Sequence, residues 1–467
     1  MAKGESAVLN NQGSYLKRIL AFSLPLMLTG VLQTLYNAAD LIVVGRFEGE
    51  IALAAVGSTN SLTNLILGLF MGLSVGAGVC VAHGIGAGRK REVQRILHTS
   101  VLVAFILGVI VSVAGFFLAP QLLHLMGTPD DVIKSAALYV RIIFIGAPAS
   151  IVYNYASAML RASGDSKRPL IFLTVSGLIN VALNLLLVIV FRIGVAGVAI
   201  GTIAAQYASA AMILLYMRKL KGALHLSFRR LRIYSASLKK VLLIGIPSGV
   251  QGTMFSLSNV IIQSSINSFG SVVMAGSAAA ANVEAFYYIA YHSFYDASLT
   301  FVGQNVGAKR FGEIKKIMIS SAICVLLSAA LLISVGLVFG DSLLGLYIDE
   351  GTEAFTAAKQ RFSLIMIPYF LCGFMEITSG TLRGMGRSIS SAVISLTFAC
   401  AFRIVWIATV FKTFSVPECI YVTYPITWTL TMIAGLVLII IALKKEIQAQ
   451  SIYDIQYKHH NIDDKII

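Results

Sequence analysis

Twelve apolar runs divide this chain, each about as long as a bilayer-spanning helix, which needs ~20 residues. They fall roughly at 15–45, 51–82, 93–118, 131–162, 168–191, 194–218, 237–268, 273–305, 314–340, 352–384, 388–412 and 418–444. No water reaches a bilayer core, so such runs must satisfy their backbone internally as helices. The composition agrees: 57% of the 467 residues are hydrophobic, only 12% are charged, and mean hydropathy is +0.83. A soluble domain carries about 25% charged residues. The expected fold class is an all-α polytopic membrane protein with twelve transmembrane helices. The residues before Tyr15 are polar, and no cleavable signal peptide is evident there.

A net charge of +15 raises the question of a nucleic-acid partner. The distribution of that charge argues against one. With twelve spans, 28 of the 36 Lys and Arg fall in segments on one face, eight of them between Arg218 and Lys240. Seven, Arg361 among them, fall toward the other face, and Arg403 lies within a span. Positive charge stays cytoplasmic, so both termini are expected inside a plasma membrane. The basic excess also attracts anionic lipid heads. The five cysteines have no paired spacing and read as small apolar residues.

The chain repeats itself. Pro25 answers Pro247, Asn37 answers Asn259 and Asn60 answers Asn282, each 222 residues on. Leu160-Arg161, Gly164 and Ser166 answer Leu382-Arg383, Gly386 and Ser388 at the same spacing. Six spans per copy give both copies one orientation, a parallel repeat about an axis along the membrane normal. The expected plan is a tail at 1–14, a first six-helix lobe at 15–217, a basic cytoplasmic linker at 218–236, a second lobe at 237–445 and a poorly ordered tail at 446–467. Two such bundles facing a central cleft, acting as a monomer, can expose it alternately to either side. Pro25 and Pro247 each remove a backbone donor inside a span and are the candidate kinks. The linker interleaves Leu, Phe, Ile and Tyr with its basic residues, and it reads as an amphipathic segment on the inner leaflet or as a plain charged connection.

Asp40 lies deep in the first span, where a carboxylate costs at least ~2.5 kcal/mol unless a partner or water meets it. Asn180 and Asn184 are one helical turn apart on span five, and Thr202 is on span six. Together these offer a carboxylate, two amide carbonyls and a hydroxyl, the oxygen ligands a hard cation such as Na⁺ takes. The competing reading is a polar knot that fixes helix packing. The second copy carries Ile262, Phe402, Trp406 and Tyr424 at these positions, and packing alone does not obviously need one polar copy and one greasy copy.

Span eight places Glu284, Tyr288, His292 and Asp296 four residues apart, and span ten carries Glu376. These form a possible second-lobe polar site, either a proton relay or an inter-helix network paired with Arg403. Tyr36, Asn37, Tyr153, Met159, Phe255, Asn259 and Tyr287 are the candidate cleft residues, where aromatic faces and Met adapt to cationic or apolar compounds. No GxxxxGK[ST] or GxSxG occurs, so neither ATP drive nor acyl-transfer chemistry is expected. The chain is not expected to be an enzyme or to need a cofactor.

The six-plus-six repeat, the first-span Pro25 with Asp40, VGQNVGA at 302–308 with AHGIGAG at 82–88, and LRASGDS at 160–166 with LRGMGRS at 382–388 together resemble the multidrug and toxic compound extrusion (MATE) family. The resemblance implies a V-shaped pair of six-helix lobes. It also implies an antiporter that expels amphipathic, often cationic, small molecules in exchange for H⁺ or Na⁺. Positions matching Asp40, Asn180, Asn184 and Thr202 line the family's first-lobe cation site. The second half departs from the family's NorM branch: Phe255-Ser256 supplies no acid, and Arg387 stands where an acid often follows the LRG motif. A lipid-linked oligosaccharide flippase of the same superfamily is the alternative. It needs cationic residues for a pyrophosphate, whereas Asp40, Glu284, Asp296 and Glu376 are acidic.

Overall fold

The computed structural model describes residues 14–126, 128 and 130–463, without the side chains at 50–51, 53–54, 58, 60–67, 130–131 and 451–463. The expected tail at 1–14 therefore lies almost entirely outside the described residues. Every regular element among the described residues is helical. Helix α1, Tyr15–Gly49, ends where Gly49 takes φ 83° and ψ −174°, a conformation glycine adopts without a Cβ penalty. Helix α2 follows at 50–86. Then come α3 (Lys90–Leu125), α4 (Asp130–Ile145), α5 (Ala147–Ala162), α6 (Lys167–Leu185, extended by a π turn at Leu186–Val190) and α7 (Val195–Lys219). The second half holds α8 (Ser235–Asn267), α9 (Ser271–Gly307), α10 (Gly312–Gly345), α11 (Glu353–Gly384), α12 (Ser388–Phe414) and α13 (Pro417–Gln450).

Eleven of these helices are long and apolar enough to cross a membrane, and α4 with α5 brings the total to twelve. That fourth span, expected as one helix over 131–162, bends by 47° between Ile145 and Ala147. Pro148, in the first turn of α5, has no N–H to continue the α4 ladder. Pro25 and Pro247 stay inside α1 and α8.

The described chain gathers into two compact units, one taking in Leu20–Asn259 and the other Val260–Ile467 with Gly13–Ile19, so far as these are described. The first unit reaches past the sequence-repeat boundary because α8 begins packed on α2. A Cβ on Gly72 would lie 2.4 Å from the Gly249 Cα, and one on Gly76 would lie 2.2 Å from the Val241 carbonyl oxygen. Glycine on both helices lets the backbones meet, as small residues do in membrane helix pairs.

Between the end of α7 at Lys219 and the start of α8 at Ser235, the linker's one regular element is a 3₁₀ turn at Phe228–Arg230. Ala223, Leu224 and Leu226 are buried in the first unit. Polar groups of α3 hold the strap: Gln94 donates to the Gly222 carbonyl (3.0 Å), His98 Nε2 accepts from Ser227 N (3.1 Å) and Thr99 Oγ1 accepts from Tyr234 N (3.1 Å). The tail expected at 446–467 continues the last helix to Asp463. Its first residues, EIQAQ, are mostly strong helix formers, which carries the helix past the end of the apolar run.

Candidate cation site

Asp40 sits on α1, Asn180 and Asn184 on α6 and Thr202 on α7, and the first unit brings all four together. Asn184 Nδ2 donates to Asp40 Oδ1 at 2.5 Å. With its amide nitrogen facing acceptors and its oxygen facing donors, Asn180 donates to Asp40 Oδ1 at 2.9 Å and accepts from Thr202 N at 3.3 Å. The Thr202 hydroxyl lies 2.9 Å from the Val198 carbonyl and 3.4 Å from Asp40 Oδ2. Its single hydrogen serves one of them at a time. Asp40 is 9% exposed, Asn180 5% and Asn184 1%, and no salt bridge reaches Asp40 among the described residues. A buried carboxylate of this kind is held by hydrogen bonds alone, which is costly in a low dielectric.

Asn184 gives its nitrogen to Asp40, but its Oδ1 is buried with no hydrogen-bond partner among the described residues. Leaving such an acceptor unmet costs about 1–3 kcal/mol. Space for that oxygen comes from Gly201, where a Cβ would lie 2.1 Å away. The sequence reading did not single out Gly201. Its position one residue before Thr202 was the available signal.

Hydrophobic packing closes one end of the cluster. Val43, Val44, Val188, Val198 and Ala199, from the same three helices, are buried against Tyr139 and Ile143 on the Gly49 side. Toward Pro25 the neighbour is Tyr36, whose ring packs so tightly on Gly177 that a Cβ there would lie 2.0 Å from it. Asn37, next along α1, is exposed. The donor set of one carboxylate, the free Asn184 carbonyl and the Thr202 hydroxyl suits Na⁺, and the carboxylate alone suits H⁺. No cluster of three or more His, Cys, Asp or Glu suited to a transition metal exists among the described residues.

The second-unit residues separate into distinct groups. Glu284 is occupied by Arg361, whose Nε and Nη2 donate to its two oxygens at 3.0 and 2.8 Å while Nη1 donates to Ser277 Oγ at 2.7 Å. Arg361, expected near the outer face, is 5% exposed. Arg403 does not pair with the stripe. Its Nε donates to Thr427 Oγ1 at 3.1 Å and its guanidinium lies over the Tyr424 ring at 4.5 Å. His292 Nδ1 lies 3.0 Å from Glu376 Oε2, with the His292 ring stacked between Tyr288 and Tyr295. Asp296 is only partly buried.

Of the expected cleft residues, Met159 is fully buried, and Tyr287 is 4% exposed with its hydroxyl donating to the Leu332 carbonyl. Both are interior packing. Tyr153, partly buried, donates to the Pro169 carbonyl at 2.9 Å. Phe255 is partly buried and Asn259 exposed on α8.

A family model described as MatE matches residues 25–186 and again 247–408, two stretches offset by the repeat spacing. The chain is 29% identical over 382 residues to the "Probable multidrug resistance protein YoeA" of Bacillus subtilis, covering 80% of this chain and 82% of that one. It is 30% identical over 385 residues to the "Probable multidrug resistance protein YpnP" of the same organism, covering 82% and 86%. Among solved structures, the outward-facing conformation of a multidrug resistance MATE family transporter of the MOP superfamily superposes with a TM-score of 0.86. That match has 20% identity and covers 96% of this chain and 99% of that one.

Proposed function

We propose, from the premise that this chain belongs to the MATE family of multi-pass membrane transporters, that it is a secondary active multidrug efflux antiporter. It exports amphipathic or cationic small molecules across the plasma membrane, with both termini cytoplasmic, in exchange for H⁺ or Na⁺. The observation that carries the coupling is Asp40, a buried carboxylate that no salt bridge reaches among the described residues, beside an Asn184 carbonyl with no hydrogen-bond partner among them. Adding H⁺ or Na⁺ to Asp40 removes the buried charge, and Na⁺ also meets the Asn184 oxygen. A transport cycle follows if ion and drug are not held together: the inward gradient loads Asp40, the drug leaves, and release of the ion to the cytoplasm resets the protein for another drug.

The partners of the buried arginines weigh against the flippase alternative: Arg361 is ion-paired with Glu284, Arg403 donates to Thr427 and lies over the Tyr424 ring, and Arg383 donates to the Tyr295 hydroxyl. The test is dye efflux from everted vesicles under an imposed pH gradient or an imposed Na⁺ gradient. Efflux that follows one gradient or either supports antiport. Efflux indifferent to both, at normal protein levels, overturns it.

A further inference from the structure

A cavity of about 700 Å³ lies within the first unit, between the starts of α3 and α8, and neither cation coupling nor drug binding uses it. Its lining includes Arg89, Lys90, Arg91, Arg95 and Lys240, with Glu92 as the acid. Lys240 Nζ sits 2.6 Å from Glu92 Oε1, and Arg89 Nη1 lies 3.4 Å from Glu92 Oε2. Among the residues that line the cavity, one carboxylate stands beside five basic side chains, so the lining carries an excess of positive charge. Helix α3 begins here, so the positive end of its dipole adds to the field.

Height within the protein narrows the ligand. Directly after Arg95 the α3 sequence becomes apolar (ILHTSVLVAFILGVIV), and directly after Lys240 the α8 sequence does the same. On α8, Leu243, Ile246 and Val250 are 60%, 49% and 41% exposed, an apolar surface running up from Lys240. Basic groups at the mouth of an apolar stripe match an anionic phospholipid: phosphate below, acyl chains along the helix. Arg and Lys recognise phosphate through charge-assisted hydrogen bonds.

We propose that this cavity binds a phosphate-bearing anion, presented by an anionic phospholipid headgroup. The bound phosphate would bridge α3 and α8 beside the Glu92–Lys240 pair and brace the close α2–α8 packing at Gly72–Gly249. The site depends on the membrane reading of the chain and is independent of whether the cargo is a drug.

Native mass spectrometry of the purified full chain provides the test, with phosphatidylglycerol and phosphatidylcholine offered separately and inorganic phosphate as competitor. The wild-type chain should retain phosphatidylglycerol in preference to phosphatidylcholine. The Arg91→Gln/Arg95→Gln variant should lose about tenfold of that preference, since each basic group near a surface contributes measurably to anionic-lipid attraction. Lys315→Gln/Lys316→Gln, which removes basic charge elsewhere, should keep it. Equal phosphatidylcholine binding by all three proteins establishes that the variants are folded. Displacement of the lipid by millimolar phosphate would assign the ligand to a soluble anion instead of a headgroup. A wild-type chain with no preference and no phosphate binding overturns the site. So does a preference untouched by the Arg91/Arg95 change. Efflux is not measured here, so failure of this site leaves the antiport reading standing.

Discussion

Asn184 and Trp406 stand 222 residues apart, and each lies just before a π turn, Leu186–Val190 in the first unit and Ile407–Phe411 in the second. What surrounds them differs. Asn184 donates to Asp40, while Trp406 donates its indole N–H to the Cys419 carbonyl at 3.0 Å and packs 5.8 Å from Phe402. Asp40 is answered by Ile262, 2% exposed, and Gly201 by Thr423, 1% exposed. Thr202 is answered by Tyr424, whose ring faces the Arg403 guanidinium. The same backbone device therefore forms with a polar and with an apolar filling. The π turn recurs in both halves, whereas the carboxylate–amide cluster occurs in the first alone, and the proposed coupling role rests on that difference.

The sharpest break of the comparison is Asp40→Asn. The amide is nearly isosteric and keeps the geometry, but it neither takes a proton nor offers a charge to Na⁺. Gradient-driven efflux should fall to background with the thermal midpoint little changed. Wild-type-level efflux would make the first-unit cluster equivalent to the second-unit one, a matter of packing.

Next in size are Asn180→Leu and Asn184→Leu, set against Phe402→Leu and Trp406→Leu. The first pair should lower the apparent affinity for the coupling ion by about tenfold, the loss of one good ligand or charge-assisted hydrogen bond. The second pair should act mainly on stability. Equal loss of ion affinity in both halves, at equal protein levels, would erase the distinction.

Arg361→Met probes the second unit's own ion pair. It leaves Glu284 buried without its partner, which costs about 3–5 kcal/mol. The thermal midpoint should therefore fall while the ion dependence of residual transport stays as in wild type. A changed ion dependence would place a coupling site in the second unit. The smallest effect is expected from Gly201→Ala, whose methyl would lie 2.1 Å from Asn184 Oδ1 and must push that flexible amide aside by about an ångström. Ion affinity should weaken a few-fold, whereas Thr423→Ala should leave it unmoved.

The repeat, the span count and the four-residue cluster were readable from sequence because each rests on spacing. Apolar runs mark helices, and two halves in one register superpose their positions. What spacing could not supply was the choice of partner. Glu284, Tyr288, His292 and Asp296 share a face of α9, but a shared face does not say which neighbour answers each group. The long Arg361 side chain reaches in from α11 to take Glu284, whereas hydropathy placed it near the surface. Interior Met159 and Tyr287 were offered as cleft residues for the same reason, since helical position alone does not tell a lumen from a packed core. The linker shows the same limit: its spacing left an amphipathic segment and a plain charged connection both open, and it does not reveal that Gln94, His98 and Thr99 of α3 bond the strap's backbone.

Asp40 is proposed as the site where H⁺ and Na⁺ compete, and Na⁺ binding to purified protein across a pH series measures that directly. If the two ions compete at Asp40, apparent Na⁺ affinity should rise with pH, by at most ~tenfold per unit for a single competing proton. It should then level off once Asp40 is ionised, and Asp40→Asn should abolish both the binding and its pH dependence. A Na⁺ affinity that ignores pH, or that survives in Asp40→Asn, would contradict the account and move the search to His292 and Glu376.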